Sequence, residues 1–411
     1  MKSDLTLRWV DSHADIPEAL WAACFPPPLE GRGWYAALEG CGIEDQFSFT
    51  YGVVSRGAHA IAITPAFVMD VPIRLVVPPA LLPWFDRLGR VFPSLRHQRT
   101  LFVGSPCSDE GTVGIAAGED RLAVLRCVQV AVRTRAGQLR APMLVWKDFG
   151  PAFDADMAEV ACENGLFRLV SFPGAVVDLR GPAFADYMAT LTTSRRNKFK
   201  KKLRVSRESV AVEVQVLHRP DAAALAQIFA LFEQTYGKAT TQFERLDLRF
   251  FELIAAQPDS HFVVLRETDA AEPMGGAVTR GEPAAGPMIA FMLCFAHPGR
   301  EGSSGHVINK FIGIDYRRPK EWFTYFRLWE AAVEWALSIG AHQIQSGQTG
   351  YAPKIEIGHR LIPLTNFCAH ANPLVHRVYK MAAKTVNWHT LDDDLATYVK
   401  AHPDEEPAPP S

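Results

Sequence analysis

Two clusters of cations carry the strongest chemical signal in this chain. The first is Arg195, Arg196, Lys198, Lys200, Lys201, Lys202, Arg204 and Arg207, and no acidic residue lies between its ends. Like charges three and four residues apart on one helix repel. A phosphate-bearing partner such as coenzyme A, tRNA or a lipid phosphate relieves that repulsion; the competing reading is a solubilising face. The second cluster is Arg317, Arg318 and Lys320 around Pro319. It falls at the expected start of a helix, where free N–H groups and the positive dipole end attract an anion and disfavour bare cations. This reads as a phosphate site, with solvated loop charges as the alternative. No two histidines have the spacing H-x-x-x-H, so no metal site is expected. Neither interleaved aromatics nor a nucleic-acid module accompanies the basic segment, so sequence-specific nucleic-acid binding is not expected.

The whole chain bounds these clusters. At 411 residues it exceeds one ordinary core, and two domains are expected. A content of 48% hydrophobic and 21% charged residues is that of a globular protein. The formal net charge of -2 leaves any anion binding to a local patch. Cys24, Cys41, Cys107, Cys127, Cys162, Cys294 and Cys368 are odd in number and lack a C-x-x-C pair. They read as reduced, mostly buried thiols, not as a disulfide framework or a zinc site. Met1-Lys2-Ser3-Asp4 carries no apolar run, and the apolar stretch Ala60–Trp84 contains Asp70, Arg74 and five prolines. Neither a secretory signal nor a transmembrane segment is expected, and the location is expected to be cytoplasmic.

The elements that must position the cations alternate between strand and helix. In the first half, a short helix opens at Gly33–Leu38. Ser48–Val54 and Ala60–Phe67 form a strand pair about Arg56-Gly57. Arg121–Arg133 reads as a helix, although Val128, Val130 and Val132 also alternate like a strand. Pro142–Trp146 is a strand, Phe153–Asn164 a helix ended by Gly165, and Phe167–Phe172 a strand. In the second half, Phe184–Leu191 is helical, and Ser194 is the expected cap of the basic segment. Val210–Leu217 is a strand. Asp221 caps a helix with Leu225, Ile228, Phe229 and Phe232 on one face. A helix at Leu246–Ala256 precedes strands at His261–Glu267, Met274–Thr279, Met288–Ala296 and Val307–Tyr316. The longest helix is expected from Pro319, with Trp322, Phe326, Trp329, Val333 and Ala336 at helical spacing, to Gly340. Strand His342–Gln345 then enters a glycine-rich loop, a short helix holds Lys354, and Leu361–Cys368 returns as a strand. His402–Ser411, acidic and proline-rich, is expected to be disordered.

Three segments resemble the FemAB-like branch of the GNAT acyltransferases. Thr193-Ser194-Arg195-Arg196-Asn197-Lys198-Phe199-Lys200-Lys201-Lys202-Leu203-Arg204 is similar to the basic segment that opens their second lobe. Gly313-Ile314-Asp315-Tyr316 stands before the long helix, as their last central strand does. Ser346-Gly347-Gln348-Thr349-Gly350-Tyr351, followed by Lys354-Ile355-Glu356-Ile357-Gly358, resembles their glycine-rich loop. The resemblance implies an α/β fold: a GNAT-like mixed central sheet flanked by helices, in two tandem lobes. The lobes are expected at 1–180 and 181–385, the latter the acyltransferase lobe, with a C-terminal helix and tail at 386–411. Members transfer acyl or aminoacyl groups to amines from a coenzyme A thioester or from aminoacyl-tRNA. The charged heptad arm of the tRNA-dependent enzymes is missing, as is the Arg/Gln-x-x-Gly-x-Gly/Ala pyrophosphate loop.

Acyl transfer needs a deprotonated amine, whose ammonium has a pKa of about 10, together with oxyanion donors and alignment. The resemblance suggests backbone N–H groups near Asp315 and Tyr316 as the oxyanion donors. Gln348 and Tyr351 would line the acceptor, and Lys354 would hold a carboxylate or phosphate or stabilise the tetrahedral intermediate. Asp315 and Glu356 are the proton acceptors, with His370 in reserve. Arg195, Arg196, Lys200, Tyr316, Arg317, Arg318 and Lys320 would hold the donor. The plainer alternatives are that Asp315 pairs with Arg317 or Arg318, that Glu356 points outward, that Lys354 is a surface lysine and that His370 is structural. The expected function is direct N-acyl transfer to a cell-wall precursor or small metabolite. Acyl-CoA is the co-substrate, aminoacyl-tRNA its alternative, and no cofactor is tightly bound. The competing function is a catalytically silent protein of this fold that binds a phosphorylated ligand.

Overall fold

Apolar alternation and well-placed caps build two β-sheets, each the centre of one contact unit, in this computed structural model. The described residues are 4–72, 97–238, 244–268, 286–297 and 305–407. One unit comprises Met1–Glu39, Ile43–Pro173 and Ile362–Ser411, the other Gly40–Gly42 and Gly174–Leu361.

The first unit contains β1 (Leu5–Val10), α1 (Glu18–Cys24), α2 (Arg32–Glu39), β2 (Ser48–Arg56), β3 (His59–Pro72), β4 (His97–Val103), β5 (Gly114–Ile115), α3 (Arg121–Gln138), β6 (Met143–Phe149), α4 (Asp154–Asn164) and β7 (Phe167–Val170). The helix-or-strand ambiguity after residue 121 resolves as helix. Asp120 caps it by accepting the N–H of Ala123 at 3.1 Å, and Val124, Leu125, Val128 and Val132 are all fully buried.

The second unit contains β8 (Gly174–Asp178), α5 (Phe184–Thr190), α6 (Thr193–Ser209), β9 (Val212–Leu217), α7 (Ala222–Tyr236), α8 (Leu248–Ala255), β10 (Ser260–Glu267), β11 (Met288–His297), β12 (Gly305–Ile314), α9 (Thr324–Ser338), β13 (Ala341–Ser346), α10 (Tyr351–Glu356) and β14 (Arg360–Ile362). Its sheet runs β14-β8-β13-β12-β11-β10-β9. β12 and β13 are parallel, joined by α9 as the crossover such a pair requires. β11 is buried from Met288 to Ala296, as a strand covered on both faces must be. Met292 and Cys294 share a core with Trp329 of α9 and Phe199 of α6. The alternate residue Phe291 meets Phe251 of α8, so successive side chains of β11 serve opposite layers.

After the second unit the chain re-enters the first. β15 (Thr365–His370) pairs antiparallel with β6 on one side and β7 on the other. The sheet is therefore β1-β2-β3-β4-β6-β15-β7, with β5 beside β3. α11 (Pro373–Ala383), α12 (Trp388–Leu391) and α13 (Asp393–Ala401) follow. No helix among the described residues is long and apolar enough to cross a membrane.

Several expectations need correction. Residues 361–368 are not one strand, because Pro363 and Leu364 carry the chain from β14 in one sheet to β15 in the other. Residues 362–411 therefore group with the first unit, whereas the lobe boundary expected near 180 lies close to the division after Pro173. Thr192, not Ser194, caps α6, its hydroxyl accepting the N–H of Arg195 at 3.4 Å. Pro319 leads only into a 3-10 turn, Lys320–Trp322. Phe323, left-handed at φ 45°, then breaks the chain before α9 begins at Thr324. At 15 residues α9 is shorter than α6, with 17, and α3, with 18. His402–Glu406, expected to be disordered, is tied back by Tyr398 to Glu405 and by His389 Nδ1 to Glu406 at 3.1 Å. The strand expected at Met274–Thr279 lies outside the described residues.

A chain ending at Leu361 lacks the strand between β6 and β7. It is expected to lose the cooperative thermal transition of the first unit while keeping that of the second. Calorimetry on the truncated and full chains checks this, and two retained transitions would refute the role given to β15.

Candidate active site

The two parallel strands of the second unit pair only from Gly305↔Ala341 to Asn309↔Ser346. Beyond that point β12 continues beside β11 as far as Ile314, while β13 ends and the chain turns through Gly347–Gly350 into α10. Ligands of open α/β sheets gather where neighbouring strands part at their carboxyl ends. Among the described residues, five other than glycine have a left-handed backbone, and two of them border this parting: Phe323 at φ 45° and Thr349 at φ 65°. For a β-branched residue such as Thr349 this conformation costs on the order of 1–3 kcal/mol, so packing around the loop must hold it.

Three elements converge here. α6 buries Phe199, Leu203 and Ser206, which leaves Lys202 beside its inward face. The Lys202 ammonium lies 3.9 Å from the ring centre of Phe326 and 5.8 Å from that of Phe323. It reaches Glu356 Oε2 on α10 at 2.6 Å. The two side chains are 25% and 24% exposed, and the aromatic walls reinforce the cation's hold. Glu356 Oε1 is buried and meets no hydrogen-bond partner among the described residues. A desolvated carboxylate oxygen with no donor carries a free-energy cost that an incoming N–H group removes.

A buried polar network fixes α10. His359 Nδ1 lies 3.1 Å from the carbonyl oxygen of Lys354. A carbonyl only accepts, so Nδ1 carries the proton, and Nε2 accepts the Ser346 hydroxyl at 3.0 Å. Burial, helped by the Lys354 charge, pushes the imidazole pKa down to about 3. The ring packs against Trp329 at 4.8 Å. Trp329 Nε1 donates to the Tyr187 hydroxyl at 3.0 Å, and that hydroxyl donates to the carbonyl of Ile357. Gly358 ends α10 at φ 92°, where a Cβ would stand 2.4 Å from Leu191 Cδ2, so only glycine fits without displacing that side chain.

Of the residues singled out from sequence, Glu356 alone combines position at the parting with a carboxylate oxygen lacking a partner. Lys354 is no surface lysine: its ammonium donates to the carbonyl of Gly347 and to that of Gln348 at 3.4 Å, clamping the glycine-rich loop. Tyr351 is fully buried, which leaves it no surface to offer an acceptor. Asp315 is buried and accepts from Arg317 Nε at 2.7 Å and Nη2 at 3.0 Å, and the charge of Arg318, its Nε 3.4 Å away, adds an ion pair. These hydrogen bonds, led by Arg317, hold its pKa below the usual carboxylate range, which makes it a weak proton acceptor. Its own N–H donates to the carbonyl of Ile289 at 2.8 Å and is not available to an oxyanion. Arg318 also pairs with Glu267 at 2.6 Å. Both arginines, and the exposed Lys320, precede the break at Phe323 and do not sit at the first turn of α9. Tyr316 is exposed, with the Lys238 ammonium 3.8 Å above its ring. His370 belongs to β15 of the first unit.

The basic helix divides by face. Arg196, Lys200, Leu203 and Arg207 line a cleft of about 370 Å³ with Phe184, Met188 and Glu330, where Arg207 meets Glu330 at 2.5 Å. Arg195, Arg196, Lys198, Lys200 and Lys201 form no ion pair among the described residues. Sequence reasoning missed the Lys202–Glu356 contact and the Ser346–His359 pair. The apolar spacing of Phe199 and Leu203 marks Lys202 as the cation next to the inward face, but no local pattern connects it with residue 356.

No family model matches the chain, and no curated protein matches it in sequence. Solved structures do. FemX superposes over 91% of this chain and 100% of its own, with a TM-score of 0.55 and 9% identity. A tandem GNAT protein from the clavulanic acid biosynthesis pathway covers 89% of this chain and 99% of its own, with a TM-score of 0.49 and 11% identity. N-myristoyltransferase of Saccharomyces cerevisiae covers 90% of this chain and 80% of its own, with a TM-score of 0.47 and 10% identity. The FemX likeness shows that the chain shares the FemX fold, with β12–α9–β13 as its parallel unit.

His359 generates a pH prediction. An unfolded histidine protonates near pH 6.5, the buried one only near pH 3. Between those values the unfolded chain binds one proton more, so this residue's contribution to stability falls as pH falls, by up to about 1.4 kcal/mol per pH unit. His359→Phe is expected to lose about 1–3 kcal/mol near pH 7.5, through the unpaired Ser346 hydroxyl and Lys354 carbonyl. Its denaturation midpoint should decline less steeply than that of the unaltered chain between pH 6.5 and 4, and parallel declines would contradict the assignment.

Proposed function

We propose that this chain, built on the FemAB-like GNAT fold, is an N-acyltransferase that works by direct transfer and that its second unit carries the reaction. The observation that carries the reading is the parting of β12 from β13 beside the Lys202–Glu356 pair. The acyl donor is a coenzyme A thioester lying in that parting. The acceptor is an amine on a cell-wall precursor or a small metabolite.

The backbone supports an oxyanion site one step upstream of the expected one. Asp315 N–H bonds to Ile289 of β11, and inter-strand bonds of an antiparallel pair fall on alternate residues. The N–H of Ile312 therefore points to the side that β13 has left. There it can meet the thioester oxygen as negative charge develops. At the start of α9, Phe323 supplies no side-chain cap and its carbonyl takes up the N–H of Phe326 at 2.9 Å, which leaves the N–H groups of Thr324 and Tyr325 for the donor's phosphates. Lys320, before the break at Phe323, and Arg195, Arg196 and Lys200 of α6 are the cations assigned to the rest of the donor.

Glu356 Oε1 takes a proton from the acceptor's ammonium, while Lys202 holds the other carboxylate oxygen. The neutral amine attacks the thioester carbon. The C–N bond forms, the C–S bond breaks from the tetrahedral oxyanion, the departing thiolate takes up the second proton that the nitrogen must lose, and Glu356 releases the first to solvent. No cysteine participates: Cys294 and Cys368 are buried, and burial pushes their thiol pKa values up, away from the reactive thiolate.

Thermal unfolding with coenzyme A, acyl-CoAs and bulk aminoacylated tRNA tests the reading. A ligand at about a hundred times its Kd adds roughly 2.7 kcal/mol, a shift of several degrees in a unit of this size. A shift with acyl-CoA is expected. A shift with charged tRNA alone would move the donor to aminoacyl-tRNA, and no shift with either would sink the proposal. Glu356→Gln is expected to keep the donor-induced shift and to lower turnover about 10²–10⁴-fold. Unchanged turnover would remove Glu356 as the base.

A further inference from the structure

The geometry points to α11 as a docking surface for an anionic lipid bilayer. This helix belongs to the first unit and is independent of the acyl-transfer reading. Asn372 caps it, accepting the N–H groups of Leu374 at 2.9 Å and Val375 at 3.3 Å. Its inner side is anchored. The ring of His376 packs edge-on to Phe167 at 5.2 Å, the Tyr379 hydroxyl donates to Gln98 at 2.7 Å, and Ala383 is buried.

Its outer side is apolar and bare. Leu374 is 77% exposed, Val378 52% and Met381 64%. Spacings of four and three residues align them in one stripe. The chain has six exposed large hydrophobic residues among those described, and these are three of them; the other three lie singly elsewhere in the sequence. Arg377, Lys380 and Lys384 run along one flank of the stripe, all exposed. None of these three forms an ion pair among the described residues, and no acidic residue occurs from Pro373 to Leu391.

The pairing of apolar stripe and cationic flank selects the occupant. Three side chains fall far short of the roughly 800 Å² per partner that a stable protein interface buries. A symmetric contact between two copies would set Arg377, Lys380 and Lys384 near their own equivalents. A bilayer surface has neither difficulty. An amphipathic helix lying in the interface sinks its apolar side chains to the acyl boundary and leaves its cations at the level of the phosphates. At 11 residues α11 is too short to span a bilayer and suited to lying on one.

Co-sedimentation of the full chain with vesicles tests the assignment. Binding is expected to vesicles of phosphatidylcholine mixed with phosphatidylglycerol, to weaken with added salt, and to be at least about tenfold weaker with phosphatidylcholine alone. Removing one cation, as in Lys380→Ala, should lower the partition coefficient about fivefold. Leu374→Ser with Met381→Ser should abolish binding while the unfolding midpoint stays unchanged, because both residues are exposed. Equal binding by that double variant and the unaltered chain would overturn the proposal. So would a concentration-dependent dimer that the double variant dissolves in the absence of vesicles, which would make the stripe an interface between copies.

Discussion

Two strands that pair over five residues and then separate leave backbone donors and acceptors facing a gap, and such groups need partners. The gap between β12 and β13 persists because the chain after each strand is held away from the other. On the β12 side, Asp315 gathers Arg317 and Arg318 into a tight turn before the break at Phe323. On the β13 side, Lys354 clamps the glycine-rich loop, and the Ser346–His359 bond seats α10 on the strand that precedes it. The residues that look most reactive in sequence thus divide. Asp315, Lys354 and His359 are bound to the chain on either side of the gap, and Glu356 is paired with Lys202.

Electrostatics divides in the same way. α6 concentrates cations that raise its own energy, and the fold neutralises them selectively. Lys202 is drawn to Glu356 and Arg207 to Glu330, both acids supplied by the elements that α6 packs against. Neutralising every cation would give a more stable helix and remove the positive field at the site. These two pairs weld α6 to α9 and α10, Arg204 pairs within α6 with Glu208 at 4.0 Å, and the cations left over face outward or into the cleft beneath α5.

Much of the architecture was legible because its causes are local. Asp221 stands three residues before the N–H group it accepts, and the continuous apolar run of β11 announces a strand. Gly165 adopts the left-handed turn that ends α4. What escaped depends on distant partners. Pro319 looks like a helix start, but nothing nearby reveals that Phe323 will turn left-handed. Leu361–Cys368 reads as one strand because pattern alone cannot say that its two halves belong to different sheets. The contacts of Lys202 with Glu356 and of Tyr187 with Trp329 join residues remote in sequence, and no periodicity encodes them.

The placement of β15 also bears on how the protein is made. The second unit is nearly continuous in sequence, so its strands can be completed as synthesis reaches Leu361. The first unit begins earlier and finishes later. β6 must wait with one edge unsatisfied, and β7 with no strand partner, until the whole of the other unit has been translated and β15 arrives between them. The order of folding is then the reverse of the order of synthesis, and the first-made half is the one exposed longest to mispairing. A circular permutant that opens the chain near residue 174 and joins the original termini would make both units continuous, and should fold with fewer long-lived intermediates.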